Sequence, residues 1–263
     1  MKELVSERKL PIIGAICGDI LGSGYEWNST KNLDMDLCRM KDDFTDDTVC
    51  TVAILDAIIN NIPFDESLRN WCRRYNNAGY GSSFRRWFRL ENGEPYNSWG
   101  NGSAMRVSAA GALANSLEET LRLAKESAEV THNHPEGIKG AQGVASAIYM
   151  AKTSSSKEEI KDYIQSKFGY DLERKYKDIQ PSYHFDVSCQ GSVPESIICF
   201  LESNDYEDAI RHSIAMGGDT DTMAAITDSI AAAYYKEIPE NILSHCLIRI
   251  PQDMKDILKS IKC

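Results

Sequence analysis

Nowhere do the 263 residues run eighteen apolar positions in a row, so no transmembrane helix is readable. Basic side chains are in the minority, 29 Lys and Arg against 39 Asp and Glu, for a formal charge of -10. That deficit argues against general nucleic-acid binding and against an anionic membrane surface, because either needs a basic face. The 8 cysteines form no C-x-x-C and no zinc-like spacing. Cys50 and Cys199 sit among apolar neighbours, where a thiol behaves as a small hydrophobe, and the expectation is reduced thiols in a cytoplasmic protein. Lys2, Arg8 and Lys9 before the apolar stretch Leu10–Leu21 loosely imitate a signal peptide, but Asp19 interrupts the stretch and Ile16 before Cys17 spoils a lipoprotein site. The segment is therefore expected to be structural. No fixed-period repeat, linker or composition shift divides the chain, so residues 1–263 are expected to form a single domain. With no heptad seam and no long exposed apolar stripe, a monomer is expected.

What is present reads mostly at helical period. Ser116 with Glu119 forms a capping box ahead of Leu117, Leu121, Ala124 and Ala128, and Ser156 with Glu159 repeats the device before Gly169. Asp205 is placed to cap Tyr206–Met216, which stops at Gly217-Gly218; Met223–Tyr235 and Asn241–Ile248 follow. The 8 prolines are expected at element boundaries, with none inside a periodic run. An all-α domain is the expectation. One stretch dissents: Tyr183, Phe185, Val187 and Cys189 alternate with polar residues, but the stretch is short and isolated and reads as an extended loop.

Two acidic clusters open apolar helices: Thr45-Asp46-Asp47-Thr48, and Gly217-Gly218-Asp219-Thr220-Asp221-Thr222. Either alone could be a helix cap, since Thr and Asp accept from first-turn N–H groups and carboxylates suit the positive end of the helix dipole. Together they supply four carboxylates where caps need one oxygen each. Asp219 and Asp221 can converge only if Asp219 lies in the entering turn, which the double glycine eases. Four carboxylates in one cleft repel one another. Divalent cations remove the conflict, and an all-oxygen donor set suits Mg²⁺ or Mn²⁺. Upstream, Gly14, Gly18 and Gly22 recur every four residues, a bare helix face that lets a neighbour approach closely, with Asp19 and Glu26 beside it.

Gly18-Asp19-x-x-Gly22 with Glu26, Thr-Asp-Asp-Thr, Gly100-Asn101-Gly102-Ser103-Ala104-Met105-Arg106, Thr131-His132-x-His134-Pro135 and Gly-Gly-Asp-Thr-Asp-Thr occur in that order. In this the chain resembles the ADP-ribosylglycohydrolase family from about Ile12 to Pro239. The resemblance implies a compact, orthogonally packed all-α domain with a cleft holding two divalent cations. It places the metal ligands at Thr45, Asp46, Asp47, Asp219, Asp221 and Thr222, and a further acid near metal and substrate at Glu26. ADP-ribose would be held by Ser98, Gly100, Asn101, Gly102 and His132, with Tyr80-Gly81-Ser82 as another glycine loop near the diphosphate. Three departures, at Ala110, at Asp228 and before Ile238-Pro239, concern packing or surface. The segment from about Lys152 to Gln190 matches poorly and is expected to set specificity.

The residue types suit the implied chemistry. Glycine turns can cradle phosphate with backbone N–H groups where basic side chains are scarce; Arg106 is the one nearby cation, equally readable as a core partner. Asp46, Asp47 or Glu26 would take the proton of a water attacking the anomeric carbon through an oxocarbenium-like transition state. The expected reaction is hydrolysis of the bond between ADP-ribose and an acceptor, a modified protein side chain or a small molecule. A non-catalytic ADP-ribose-binding or structural member and a metal-dependent phosphohydrolase are the alternatives.

Overall fold

The computed structural model describes residues 6–261; Lys2 and Cys263 lie outside them. Fourteen α-helices run through the described residues. The first group is α1 (Leu10–Glu26), α2 (Asp46–Asn60), α3 (Phe64–Arg74) and α4 (Ser82–Arg89), followed by a 3-10 turn at Asn101–Ser103. Next come α5 (Ser108–Leu113), α6 (Leu117–Glu129), α7 (Pro135–Lys152), α8 (Lys157–Phe168) and the short α9 (Tyr176–Ile179). The last are α10 (Cys189–Glu202), α11 (Tyr206–Met216), α12 (Thr220–Tyr235), α13 (Glu240–Leu247) and α14 (Gln252–Ser260). The β structure among these residues is an isolated antiparallel bridge between Gly100 and Ser188, so the alternating stretch is indeed an extended loop. Among the described residues no helix is long and apolar enough to cross a membrane.

The centre is the pair α1 and α12. Both are buried on nearly all sides, as helices without a polar face must be. They lie almost backbone to backbone. A Cβ added at Gly14, Gly18 or Gly22 would strike the carbonyl oxygen of Asp228, Ala224 or Thr220, and the alanines of α12 keep the opposing surface equally low. This contact sets the site's geometry, because it brings the C-terminal end of α1 beside the N-terminal end of α12; Thr220 Oγ1 donates to Gly22 O at 2.9 Å.

Most caps fall where the sequence puts them. Ser156 and Glu159 make a complete capping box, Gly169 closes α8 in the left-handed conformation at φ 69°, and Asp205 Oδ1 accepts from Asp208 N–H at 2.8 Å. Two readings need correction. Ser116 accepts from Glu119 N–H, but the Glu119 carboxylate reaches one residue further back, to Asn115, whose backbone and side-chain N–H groups both donate to it. Pro194 lies inside α10. It is the sixth residue of the helix, past the first turn, so it removes one interior ladder bond, the one its N–H would have made to Gln190 O.

Candidate functional site

Three helix ends deliver carboxylates to one cleft of about 570 Å³. Glu26 is the last residue of α1, Asp46 and Asp47 open α2, and Asp219 and Asp221 flank the start of α12. Thr222 lines the same wall. Asp219 is the N-cap of α12, entered through Gly217 and Gly218 at φ 77° and 84°; no side chain with a Cβ adopts two such angles in succession readily. The turn also needs Gly218 for space, since a Cβ there would lie 2.7 Å from the Tyr183 ring. Oxygens of Glu26, Asp219 and Asp221 come within 4.8 Å of one another.

Asp19 fixes the second cluster from beneath. Fully buried on α1, it accepts from the N–H and hydroxyl of Thr45 and from the N–H and hydroxyl of Thr48, at 2.5–3.0 Å. It thereby anchors the first turn of α2 and aims Asp46 and Asp47 outward. Thr45, the N-cap of α2, gives its hydroxyl hydrogen to Asp19 and accepts from Asp47 N–H, and is not among the residues lining the cleft.

Electrostatically the acids crowd one another. Burial first, and the neighbouring carboxylates second, push Asp46 up to about 8 and Glu26 up to about 7, and hold Asp47 and Asp221 well above the carboxylate range. Asp219 rises to about 6 through burial, opposed by hydrogen bonds from Asp221 and Asn101. Asp47 Oδ2 is buried with no hydrogen-bond partner. Converging anionic oxygens with an orphan among them fit a divalent cation, which supplies the missing positive charge.

The opposite wall is the glycine loop. Asn101 Nδ2 donates to Asp219 Oδ2 at 2.7 Å, tying loop to acid cluster. Two of the loop's N–H groups are already used: Gly100 N–H donates to Ser98 Oγ and Asn101 N–H to Val187 O. Gly102 is required for space, because a Cβ there would stand 3.0 Å from His132 Nε2. Arg106, fully buried, donates to Ser127 O and to Thr131 Oγ1, so it is held by oxygens of the protein rather than by an acid. Thr131 Oγ1 in turn lies 2.7 Å from His132 Nδ1. That oxygen accepts from Arg106 and shares one hydrogen with Nδ1, so the pair orients the imidazole with Nε2 toward the glycine loop. Burial and the Arg106 charge hold His132 well below the usual imidazole range. His134 caps α7, its Nδ1 accepting from Glu136 N–H.

The Tyr80-Gly81-Ser82 loop divides. Gly81 and Ser82 line the cleft with Ser83 and Phe84 of α4, whereas the Tyr80 ring is buried against Phe84 and Phe88 and lines a neighbouring groove. The cleft also gathers residues the motifs leave out: Tyr96, Trp99, Phe185 and Val187. Phe185 and Val187 share one face of the extended loop, and that two-residue spacing was the available signal. Trp27, 84% exposed, stacks on Phe185, 50% exposed, at 6.0 Å between ring centroids. One ammonium holds this loop in place: Lys31 Nζ donates to the carbonyls of Gln180, Tyr183 and Met216 at 2.7, 3.0 and 2.5 Å.

Comparison with known proteins agrees with this architecture. The bovine (Bos taurus) protein ADP-ribosylhydrolase ARH3 is 25% identical over 89% of this chain and 87% of its own length. An uncharacterized protein of Archaeoglobus fulgidus is 28% identical, covering 88% of each chain. Among solved structures, one described as an ADP-ribosylglycohydrolase-related protein complex superposes with a TM-score of 0.77 over 99% of this chain and 98% of that one, at 21% identity, which is a likeness of fold. The ADP-ribosylglycohydrolase family model matches residues 11–261, a span that takes in α1, both acidic clusters and the glycine loop, and the chain therefore belongs to the ADP-ribosylglycohydrolase family.

Proposed function

We propose that this protein hydrolyses the N- or O-glycosidic bond joining ADP-ribose to an acceptor, a modified protein side chain or a small molecule, and so reverses ADP-ribosylation. The observation that carries the reading is the convergence of Glu26, Asp46, Asp47, Asp219 and Asp221 on one wall of a cleft whose other wall is the Ser98–Gly102 loop and His132. Asp46, Asp47, Asp219, Asp221 and Thr222 would hold two divalent cations, Mg²⁺ or Mn²⁺, while Thr45, off the cleft with its hydroxyl bonded to Asp19 and Asp47, would support the ligands from behind. When bound, the cations supply the positive charge that lets the acids ionise together and the Lewis acidity that makes water a nucleophile near neutral pH.

The protein's own groups do the rest. Asp46, Asp47 and Glu26 stand where they can take a proton from the attacking water. His132, held neutral, presents Nε2 to the cleft, with Arg106 and Thr131 orienting the ring. Phosphate recognition falls chiefly to the first turn of α4. The N–H groups of Ser82, Ser83 and Phe84 have no ladder partner in that position, while Gly100 and Asn101 have spent theirs on Ser98 and Val187. Phe185, Val187 and Trp99 wall the mouth through which the acceptor leaves. The free thiols among the described residues, Cys50 and Cys72 with sulfurs 3.8 Å apart included, are consistent with work in the reducing cytoplasm, and one apolar cluster spanning α1 to α14 supports a single domain, read here as a monomer.

Defined ADP-ribosylated peptides and small molecules, each incubated with and without a chelator, test the proposal. ADP-ribose should be released only with divalent cation present, and Asp46→Asn or Asp219→Asn should reduce the rate by about 100-fold or more with an unchanged circular dichroism spectrum. Full activity in either variant overturns the assignment. Tight ADP-ribose binding without turnover would instead identify a non-catalytic member, and release of phosphate a phosphohydrolase.

A further inference from the structure

Beside the cleft, and sharing Ser82 with it, a groove of about 480 Å³ runs along α4 between Tyr80 and Leu90. Its charged lining is Arg85, Arg86 and Arg89. Counted from Ser82 these fall at three, four and seven residues, so they share one helix face that starts at the cleft rim.

These arginines differ from the others in the molecule. Arg69, Arg73 and Arg249 are tied to backbone carbonyls, Arg106 to a carbonyl and a hydroxyl, and Arg211 to Glu207. Among the described residues no ion pair or hydrogen bond engages Arg85, Arg86 or Arg89, and Arg85 Nε is buried with no partner at all. Neighbouring like charges on one helix face oppose each other, and a chain with ten excess acids places none of them between these three. Guanidinium groups left open in a groove are suited to planar, two-oxygen anions, carboxylate or phosphate.

We propose that this groove docks an acidic segment, Asp/Glu-rich or phosphorylated, of the ADP-ribosylated protein, and so selects substrates by the charge beside the modified residue. A peptide fits better than a nucleic acid. The stripe extends only about 10 Å, seven residues of helix, which matches a few acidic side chains. A longer polyanion would run from it onto the surface of a strongly acidic chain. The groove adjoins the cleft that holds the acids, because Ser82 lines both. The role in substrate choice rests on the hydrolase reading; the docking itself does not.

Two measurements separate them. In the first, a fluorescein-labelled glutamate-rich peptide, its glutamine counterpart and a single-stranded oligonucleotide of equal charge are titrated with the full chain. The glutamate peptide should bind, the glutamine peptide should not, and R86E/R89E should weaken binding by about tenfold. Salt that shortens the Debye length to about 3 Å should do the same. Both arginines are exposed, so the variant keeps the fold. In the second, ADP-ribosylated peptides with acidic or neutral flanks are compared: the acidic flank should lower KM severalfold in the parent protein and not in R86E/R89E, with kcat on the neutral peptide unchanged. Equal binding by R86E/R89E, no binding of the glutamate peptide, or preference for the oligonucleotide overturns the docking proposal. Peptide binding without any turnover leaves docking standing and removes the hydrolase reading instead.

Discussion

The two walls of the cleft are built in opposite ways. The acidic wall hangs from α1 and α12, whose backbones touch through Gly14, Gly18 and Gly22 with no side chain between them. The other is the loop after α9, an extended strip with half-exposed Phe185 and Val187 on the cleft and one lysine tying it to two other segments. The first is a contact that tolerates no added atom. The second is a set of polar ties in reach of water. On the proposed function, the contrast would separate chemistry from choice of partner: the acids proposed to react are held by what cannot change without losing the fold, and the wall proposed to meet the acceptor by what can.

That division can be broken at three places. The largest effect should come from Gly18→Val. Its branched side chain would drive into the backbone of Ala224 and Ala225, costing about 3 kcal/mol or more, and urea unfolding should find the variant destabilised by that much or unfolded. A loss under about 0.5 kcal/mol would mean that the helices can separate, and that the acidic wall is as adjustable as the other. Next in size is Lys31→Met. It leaves three carbonyls without their shared donor and should cost about 1–3 kcal/mol. More tellingly, it should raise KM with kcat nearly unchanged, because the loop wall loosens while the acids stay put; a fall in kcat alone would place the lysine's influence on Asp219 instead.

The smallest change sharpens the picture of the scaffold. Asp228, on α12 where it meets Gly14, is fully buried, both its carboxylate oxygens lack a hydrogen-bond partner, and burial holds its carboxyl well above the carboxylate range. A carboxyl raised in the folded state stabilises fully only below the unfolded value near 3.8, and that stability is lost as pH climbs towards the folded value. Asp228→Asn should therefore stabilise the protein by about 1 kcal/mol at pH 8 and flatten the decline in melting temperature above pH 4. An unchanged slope would assign the decline to the cleft acids.

How much of this was readable beforehand follows the same line. The glycine stripe, the capped helix starts and the two acidic clusters are local patterns, and local patterns translate directly into backbone geometry. Asp219 needed only its double glycine to be placed in the entering turn. The long-range pieces were harder. Asp19 looked like any buried acid until α2 was set against it, and Phe185 is unremarkable in a loop until the loop is folded over the cleft. Tyr80 followed its aromatic neighbours into a cluster with Phe84 and Phe88. Pro194 breaks a rule of sequence punctuation because tertiary packing around α10 outweighs one missing hydrogen bond.

The chain of bonds from Arg106 through Thr131 to His132 begins at a cation. A guanidinium keeps its charge in a protein, and this one lies buried behind the imidazole. Burial disfavours any charge on the ring and a positive charge fixed there works against a second one, so the histidine is held uncharged whichever of its nitrogens carries the hydrogen. The residue in the cleft that sequence habit would nominate as a proton shuttle is the one its neighbours make least able to hold an extra proton.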